Sequence, residues 1–155
     1  AYFAELLDEW APDAAPNERL YRLGASVVGA LCAGGRVDAL ARYFEYWLLR
    51  LEGVYPGLDR CPRCGQARFE RGASFLTAER AFVCLGCSDG GIRVSEEAVA
   101  FLTRTVRGTP AEVAHATTSR AALLEIELAH ARLIALHLEK ELRSARVVKE
   151  LRPPS

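Results

Sequence analysis

The sequence of 155 residues has no methionine, no net charge and no long apolar run. A membrane-spanning helix needs about 18 uninterrupted apolar residues, and a secretory leader places an apolar stretch after a basic start. Neither pattern occurs, so we expect a soluble cytoplasmic protein that does not contact membranes. Because the chain begins at Ala1 and lacks methionine, we also expect it to be a piece of a longer product.

The composition is that of a globular protein, with 50% hydrophobic and 26% charged residues. It argues against disorder, and the length suits one domain or a domain with a small insert. The 20 acidic and 20 basic residues balance overall but are distributed unevenly. Residues 1–18 have five acidic residues and no basic one, whereas residues 60–80 and 130–155 each have three more basic than acidic residues. This asymmetry hints at a surface that binds nucleic acid.

Most of the sequence has the apolar spacing of helices, in which residues of one face recur every three to four positions. Glycine, proline and N-cap residues divide it into successive segments. The predicted helices cover residues 1–10, the segment from the Asn17 cap to about Cys32, residues 37–52, the segment from the Ser95 cap to Gly108 and, after a polar link, about 118–143. The predicted fold class is therefore mainly α.

The helical pattern stops between Asp59 and Gly91. Two short apolar pieces in this segment, Ala73–Leu76 and Ala81–Cys84, are separated by a polar turn and predict a β-hairpin. The prediction is a helical domain interrupted by a small four-cysteine zinc-binding insert, divided as residues 1–58, 59–92 and 93–155.

Four of the five cysteines form two Cys-x-x-Cys pairs, Cys61 with Cys64 and Cys84 with Cys87, with nineteen residues between the pairs. A two-residue spacer lets a tight turn bring two thiolates to one edge of a tetrahedron. A hairpin can bring the second pair to the opposite edge, which gives the arrangement of a four-cysteine zinc site. Four thiolates leave no open coordination position, so we predict that the zinc ion is structural.

Two disulfides or an iron–sulfur cluster are the alternatives for these four cysteines. Disulfides are disfavoured in a chain without a secretory leader. Four cysteines also hold iron–sulfur clusters, so this alternative stays open. A second pair carried on a separate hairpin favours zinc.

Other chemically suggestive residues have simpler interpretations. Cys32 follows apolar and small residues on a helix and is predicted to be a buried thiol. The Glu-x-x-His pairs at 112–115 and 127–130 resemble di-iron ligands, but pairs fifteen residues apart are not expected on facing helices. His130 and His137 share a helix face and are interpreted as surface residues that pair with neighbouring side chains. No nucleophile, base and orienting group come together in the sequence, so we predict that the protein is not an enzyme.

The terminal run of residues 137–152 has a basic residue at every third position from Arg143 to Arg152. This spacing can form a strip that meets phosphate groups, although a solvated face paired with Glu139 and Glu150 is an equal alternative. Together with the basic residues around the first cysteine pair, the strip gives the candidate DNA contacts, which are Arg60, Arg63, Arg68, Arg71, Arg143, Arg146 and Lys149.

These motifs resemble a known bacterial family. Residues 44–53, Phe-Glu-Tyr-Trp-Leu-Leu-Arg-Leu-Glu-Gly, followed by 56–65, Pro-Gly-Leu-Asp-Arg-Cys-Pro-Arg-Cys-Gly, resemble the approach to the zinc site of the recombination mediator family RecO. Residues 74–87 look like the hairpin that closes that site, and residues 137–151 are similar to the last helix of the family.

The resemblance implies a DNA repair protein, active in the cytoplasm at the nucleoid. Such a protein binds single- and double-stranded DNA and promotes annealing of complementary strands. With its partner RecR it loads the RecA recombinase onto DNA coated by single-strand binding protein, and it contacts the acidic tail of that protein. Family members begin with an OB-fold domain, for which this sequence has no counterpart.

Two functions are open at this point. The first is a non-enzymatic DNA repair module whose basic zinc insert and C-terminal strip meet phosphate, while the helical core receives a protein tail. The second is a zinc-stabilised protein-interaction scaffold without direct DNA contact, which the balanced net charge favours.

Overall fold

The computed structural model describes residues 2–10, 18–65 and 69–151. These ranges contain the helices α1 (Tyr2–Trp10), α2 (Glu18–Cys32), α3 (Val37–Leu51), α4 (Glu96–Arg107), α5 (Pro110–Ala114) and α6 (Arg120–Leu151), and the strands β1 (Ala73–Leu76), β2 (Ala81–Cys84) and β3 (Ile92–Val94). The mainly α fold class and the two strands of the predicted hairpin are therefore confirmed. Asn17, the predicted cap of α2, lies outside the described residues.

Helix α3 lies at the centre of the helical body. All of its residues from Ala39 to Tyr46 are buried, because α2, α4, α5 and α6 all pack against it. The buried stretch includes Arg42 and Glu45, so α3 carries two charged side chains into the core.

The three strands form one antiparallel sheet in the order β2-β1-β3. Phe75 on β1 pairs with Phe82 on β2 and with Ile92 on β3. Both phenylalanines are buried in the same apolar core as the helices, and the ring of Phe82 lies 6.1 Å from that of Tyr55. Strand β3 was not predicted, since three residues are too few to display a strand pattern.

Helix α5 replaces the polar link that the sequence predicted between the last two helices. Thr109 and Glu112 form a capping box, in which the Thr109 side chain accepts from the Glu112 N–H and the Glu112 side chain accepts from the Thr109 N–H. Pro110 occupies the first turn, where its missing N–H costs nothing. A five-residue helix has no measurable apolar period, but this capping motif was visible in the sequence.

Helix α6 has 32 residues and is about 48 Å long at 1.5 Å per residue. Its first half packs against α3, α4 and β3, whereas every described side chain from Glu139 onwards is exposed. It continues to Leu151 instead of ending near Arg143 as predicted, because strong helix formers such as Arg, Ala, Lys and Glu fill this stretch. No helix in the described ranges, α6 included, has both the length and the apolar character that crossing a bilayer requires.

Candidate metal centre and nucleic-acid interface

The structure brings the four predicted ligand cysteines together. Cys61 and Cys64 lie in the loop before β1, Cys84 is the last residue of β2, and Cys87 lies in the turn that follows it. Their sulfur atoms all lie within 4.8 Å of one another, and the Cys64 and Cys84 sulfurs are 3.7 Å apart. A tetrahedral ion with thiolate bonds of about 2.3 Å requires sulfur–sulfur edges of about 3.8 Å. The donor set therefore fits one tetrahedral metal ion.

Each cysteine pair lies in a tight turn closed by a backbone hydrogen bond. The Gly65 N–H donates to the Cys61 carbonyl at 2.9 Å, and the Cys87 N–H donates to the Cys84 carbonyl at 3.1 Å. Gly65 has a φ of 74°, a conformation that residues with a Cβ rarely adopt. Each turn therefore places the two sulfurs of its pair on the same side of the backbone.

The sulfurs of the cluster differ in their proton affinity. Burial opposes ionisation of Cys61, but the N–H groups of Cys84, Cys64 and Arg63 stabilise its thiolate and lower its pKa to about 6. Hydrogen bonds to the Cys84 and Cys64 sulfurs raise the pKa of Cys87 to about 12. Four adjacent thiolates repel one another, so full ionisation of the cluster requires a cation.

The disulfide alternative does not occur within the described residues. All four cysteines of the cluster are free, and the sulfurs of Cys64 and Cys84 are 3.7 Å apart, well beyond an S–S bond of about 2.05 Å. Cys32, predicted to be buried, is exposed. It is the last residue of α2, and the inward positions of that helix are Leu20, Val27 and Ala30.

Arg63 joins the two cysteine turns. Its Nη1 donates to the carbonyl of Cys87 at 2.7 Å, its Nη2 donates to Glu79, and Asp89 lies 3.9 Å from Nη1. The side chain predicted to meet phosphate is thus engaged within the chain.

The other basic candidates near the cysteines are differently placed. Arg60 and Arg71 are exposed, and neither has an ion pair with a described residue. Arg68 lies outside the described ranges. Of the candidates in this region, Arg60 and Arg71 therefore remain on the described basic surface, beside the exposed Arg80 of the same segment.

The candidates on α6 lie on its exposed C-terminal part. Arg143 donates to Glu139 one turn earlier, which is the pairing that the alternative interpretation expected. Arg146 and Lys149 are exposed and have no ion pair within the described ranges. Each step of three residues advances about 4.5 Å along the helix and rotates by about 60°. The basic residues therefore wind gradually around the helix.

A cluster of charged and polar side chains around the buried Arg42 and Glu45, here called the Glu45 cluster, was not predicted. Its members are Tyr2, Arg42, Glu45, Tyr55, Glu127 and His130. Arg42 donates to the two oxygens of Glu45, at 2.7 Å from Nε and 2.9 Å from Nη2. The hydroxyl of Tyr2 donates to the same carboxylate. Glu127 lies 3.2 Å from Nη1 of Arg42.

His130 completes the Glu45 cluster from α6. Its Nδ1 lies 3.0 Å from Glu45 Oε1, and its Nε2 lies 2.8 Å from the Tyr55 hydroxyl. Because a carboxylate only accepts hydrogen bonds, Nδ1 carries the proton. This order of hydroxyl, imidazole and carboxylate matches that of a catalytic triad, which the sequence did not predict. His130 is 0% and Tyr55 9% exposed, so the three groups stabilise the core rather than face a substrate.

The interpretation of His130 and His137 as surface residues is wrong. They are 0% and 8% exposed, because both follow the inward stripe of α6 that includes Ile126 and Leu133. The seven-residue spacing between the histidines, continuous with that apolar stripe, was a signal that could have identified them as buried.

Comparisons with known proteins agree with these features. The family model described as Recombination protein O C terminal matches residues 1–146. A DNA repair protein RecO from Anaeromyxobacter sp. (strain K) is 32% identical over 155 residues, which is 98% of this chain and 61% of the relative. The protein of the same name from Geobacter metallireducens is 30% identical over 152 residues, which is 98% of this chain and 62% of the relative.

A third relative, DNA repair protein RecO from Geobacter sulfurreducens, is 36% identical over 103 residues, or 66% of this chain. The chain spans about 61% of the length of the Anaeromyxobacter relative. Since the family model covers residues 1–146 and relatives 30% and 32% identical align with 98% of the chain, this chain belongs to the RecO family.

Proposed function

We propose that this chain is the DNA-handling part of a RecO-type repair protein, a non-enzymatic module that binds single- and double-stranded DNA through phosphate contacts. The observation that carries the proposal is the exposed C-terminal part of α6, on which Arg146 and Lys149 have no ion pair within the described ranges. Membership of the RecO family supports it, as do the relatives named DNA repair protein.

Zinc is the ion that we assign to Cys61, Cys64, Cys84 and Cys87. Four sulfurs that all lie within 4.8 Å of one another suit one tetrahedral ion, whereas the iron atoms of a cluster hold some of their thiolates further apart. A bound zinc ion supplies folding free energy and no open coordination position. In the proposed function, the zinc ion holds two basic residues in fixed positions beside the sheet. These are Arg60, which directly precedes Cys61, and Arg71, which lies just before β1.

For the full-length protein we propose the wider role that the family resemblance implies. It anneals complementary strands in the cytoplasm at the nucleoid. It also acts with RecR to load RecA onto DNA coated by single-strand binding protein, whose acidic tail binds the helical body. The basic character of residues 130–155 supports contact with such acidic partners.

The test is a salt titration of binding to a fluorescein-labelled 30-nucleotide strand, followed by fluorescence anisotropy. Each phosphate contact to a single strand contributes about 0.7 to the slope of log K against log salt. The Arg146→Glu/Lys149→Glu variant should therefore bind more weakly, with a slope smaller by about 1.4. The matched control is Arg19→Glu/Arg22→Glu on α2, which changes net charge equally and should bind like the unmodified chain. A chain that binds no DNA even at low salt would contradict the proposal.

A second candidate is a zinc-stabilised protein-interaction scaffold without DNA contact. It is favoured by Arg63 and Arg143, whose guanidinium groups pair within the chain. This candidate predicts that partner capture survives charge reversal of Arg63, Arg68, Arg143 and Arg146 while DNA binding is undetectable. If instead the unmodified chain binds DNA and the charge-reversed variant loses that binding, the first candidate is favoured.

A further inference from the structure

A cleft of about 500 Å³ lies where the end of α4 meets α5 and the loop that follows it. Three potential cations line this α4–α5 cleft, namely Arg104, Arg107 and His115. All three are exposed, and none of them belongs to the basic strip on α6 or to the cysteine turns. The cleft is thus a separate cationic feature of the helical body.

The acidic groups near the α4–α5 cleft have other partners. Glu112, the one carboxylate in its lining, accepts the Thr109 N–H at 3.0 Å in the capping box. Glu97, about two turns before Arg104 on α4, accepts from the N–H and the hydroxyl of Ser119 at 2.6 and 2.8 Å. These hydrogen bonds lower the pKa of Glu97, and the charge of Arg104 contributes less to the same shift. Since both carboxylates are held by these contacts, neither forms an ion pair with Arg104 or Arg107 within the described ranges.

The two arginines of the cleft can act together. They are three residues apart in the last turn of α4, so their side chains lie on the same face. Arg104 uses Nη2 to donate to the Thr118 hydroxyl at 3.1 Å, which holds its stem and leaves its other nitrogens available. Arg107 has no hydrogen bond or ion pair within the described ranges. Guanidinium groups bind phosphate oxygens with paired hydrogen bonds.

The lining favours an oxyanion over an apolar side chain. The apolar residues beneath the cleft, Phe101 and Val113, are only 1% and 4% exposed, so they offer little surface to a ligand. The exposed lining residues are the three potential cations, Glu112, Thr103 and Thr117. The Glu112 carboxylate is engaged in the capping box, and the Thr103 hydroxyl donates to the Val99 carbonyl at 2.9 Å, so the cations are the groups left to meet an oxyanion. We propose that the α4–α5 cleft binds a backbone phosphate of DNA, held by Arg104 and Arg107 with His115 as a further donor. This inference rests on the proposed DNA-binding function and adds a second contact region to it.

The test compares Arg104→Glu/Arg107→Glu with the unmodified chain and with Arg19→Glu/Arg22→Glu, which has the same net charge as the cleft variant. Binding to the labelled 30-nucleotide strand and to a 30-base-pair duplex is measured by anisotropy at several salt concentrations. The cleft variant should lose about tenfold or more in affinity at low salt, with slopes smaller by about 0.7 on the strand and 0.9 on the duplex, the change expected for one phosphate contact. An Arg107→Ala variant should show about half of the slope change, and thermal melting checks that each variant folds.

The possible outcomes separate the two proposals. If the unmodified chain binds DNA and the cleft variant binds equally well with the same slope, the inference about the cleft is wrong and the proposed function stands. If the unmodified chain does not bind DNA, the proposed function is wrong, and the inference with it. If the cleft variant keeps DNA binding but loses a labelled polyaspartate peptide that the unmodified chain binds, the cleft is a peptide site and the inference is overturned.

Discussion

Glu45 shows how a buried charge is stabilised in this fold. Its side chain is 3% exposed, and burial by itself would raise its pKa. The hydrogen bond from His130, the charge of His130 and the ion pair with Arg42 outweigh burial, so the pKa of Glu45 is lowered from 4.5. An isolated charge would be costly in this position, and removing one member of a buried pair costs about 3–5 kcal/mol. Loss of either partner of the buried Arg42–Glu45 pair should therefore destabilise the core.

The lowered pKa of Glu45 predicts an acid-dependent loss of stability. The ion pairs of Glu45 contribute fully at neutral pH, and their contribution is lost as the pH falls below 4.5 and through the folded-state pKa. Glu45→Gln should cost about 3 kcal/mol at pH 7 and should lose less further stability between pH 5 and pH 3. The measurement is urea unfolding of both chains at each pH. If the free energy of unfolding fell with pH by the same amount in both chains, Glu45 would not be the group that causes the acid-dependent loss of stability.

The elements of the insert are joined to the helical body more closely than a separate finger would be. Phe75 and Phe82 lie in the helical core, and Glu125 of α6 accepts the N–H of Ser95 at 2.6 Å just after β3. The sheet also extends to Val94, two residues past the predicted end of the insert at residue 92. We therefore expect the metal site to influence both the turns that carry it and the core behind the sheet.

The cysteine cluster predicts that the insert can unfold separately from the helices. Cys64→Ser should remove the metal ion and unfold the region of residues 59–91, while α3 and the buried half of α6 keep their structure. Hydrogen exchange should therefore become faster in that region first. Cys32→Ser is the matched control, because Cys32 is exposed and lies outside the cluster. Unchanged metal content in Cys64→Ser would refute the ligand assignment.

The turn before β3 depends on Gly91. Its φ is 94°, and a Cβ there would lie 2.6 Å from the carbonyl oxygen of Phe75. Gly91→Ala should therefore lower the free energy of unfolding by about 1–3 kcal/mol. Gly57→Ala, where a Cβ meets no atom within 4 Å, should be close to neutral. The measurement is the melting temperature of each variant. Equal melting temperatures for Gly91→Ala and Gly57→Ala would contradict the expected strain at Gly91.

Helices with several turns of apolar period were predictable from sequence, whereas short elements were not. Val37–Leu51 and the Ser95 cap of α4 agree with the pattern because many residues contribute to each prediction. Helix α5 and strand β3 have only five and three residues, so tertiary contacts and caps define them. His130 was misjudged because the sequence does not show that Glu45, 85 positions away, provides its partner.

For the whole molecule, the cysteine spacing was the strongest signal in the sequence. The four sulfurs come together because each pair is a local turn and one hairpin register joins the pairs. The surface charges are harder to predict, since the sequence does not show that Arg63 pairs with Glu79 or that Arg107 stands beside a cleft. Pairing across the fold decides which basic side chains are available to DNA.

The central claim is that one structural zinc ion holds the cysteine insert against a helical body. Elemental analysis of the purified chain tests this claim most directly. The account predicts one zinc per chain, retained in Cys32→Ser and lost in Cys64→Ser. A chain without stoichiometric metal, or one that contains iron and sulfide in place of zinc, would contradict it.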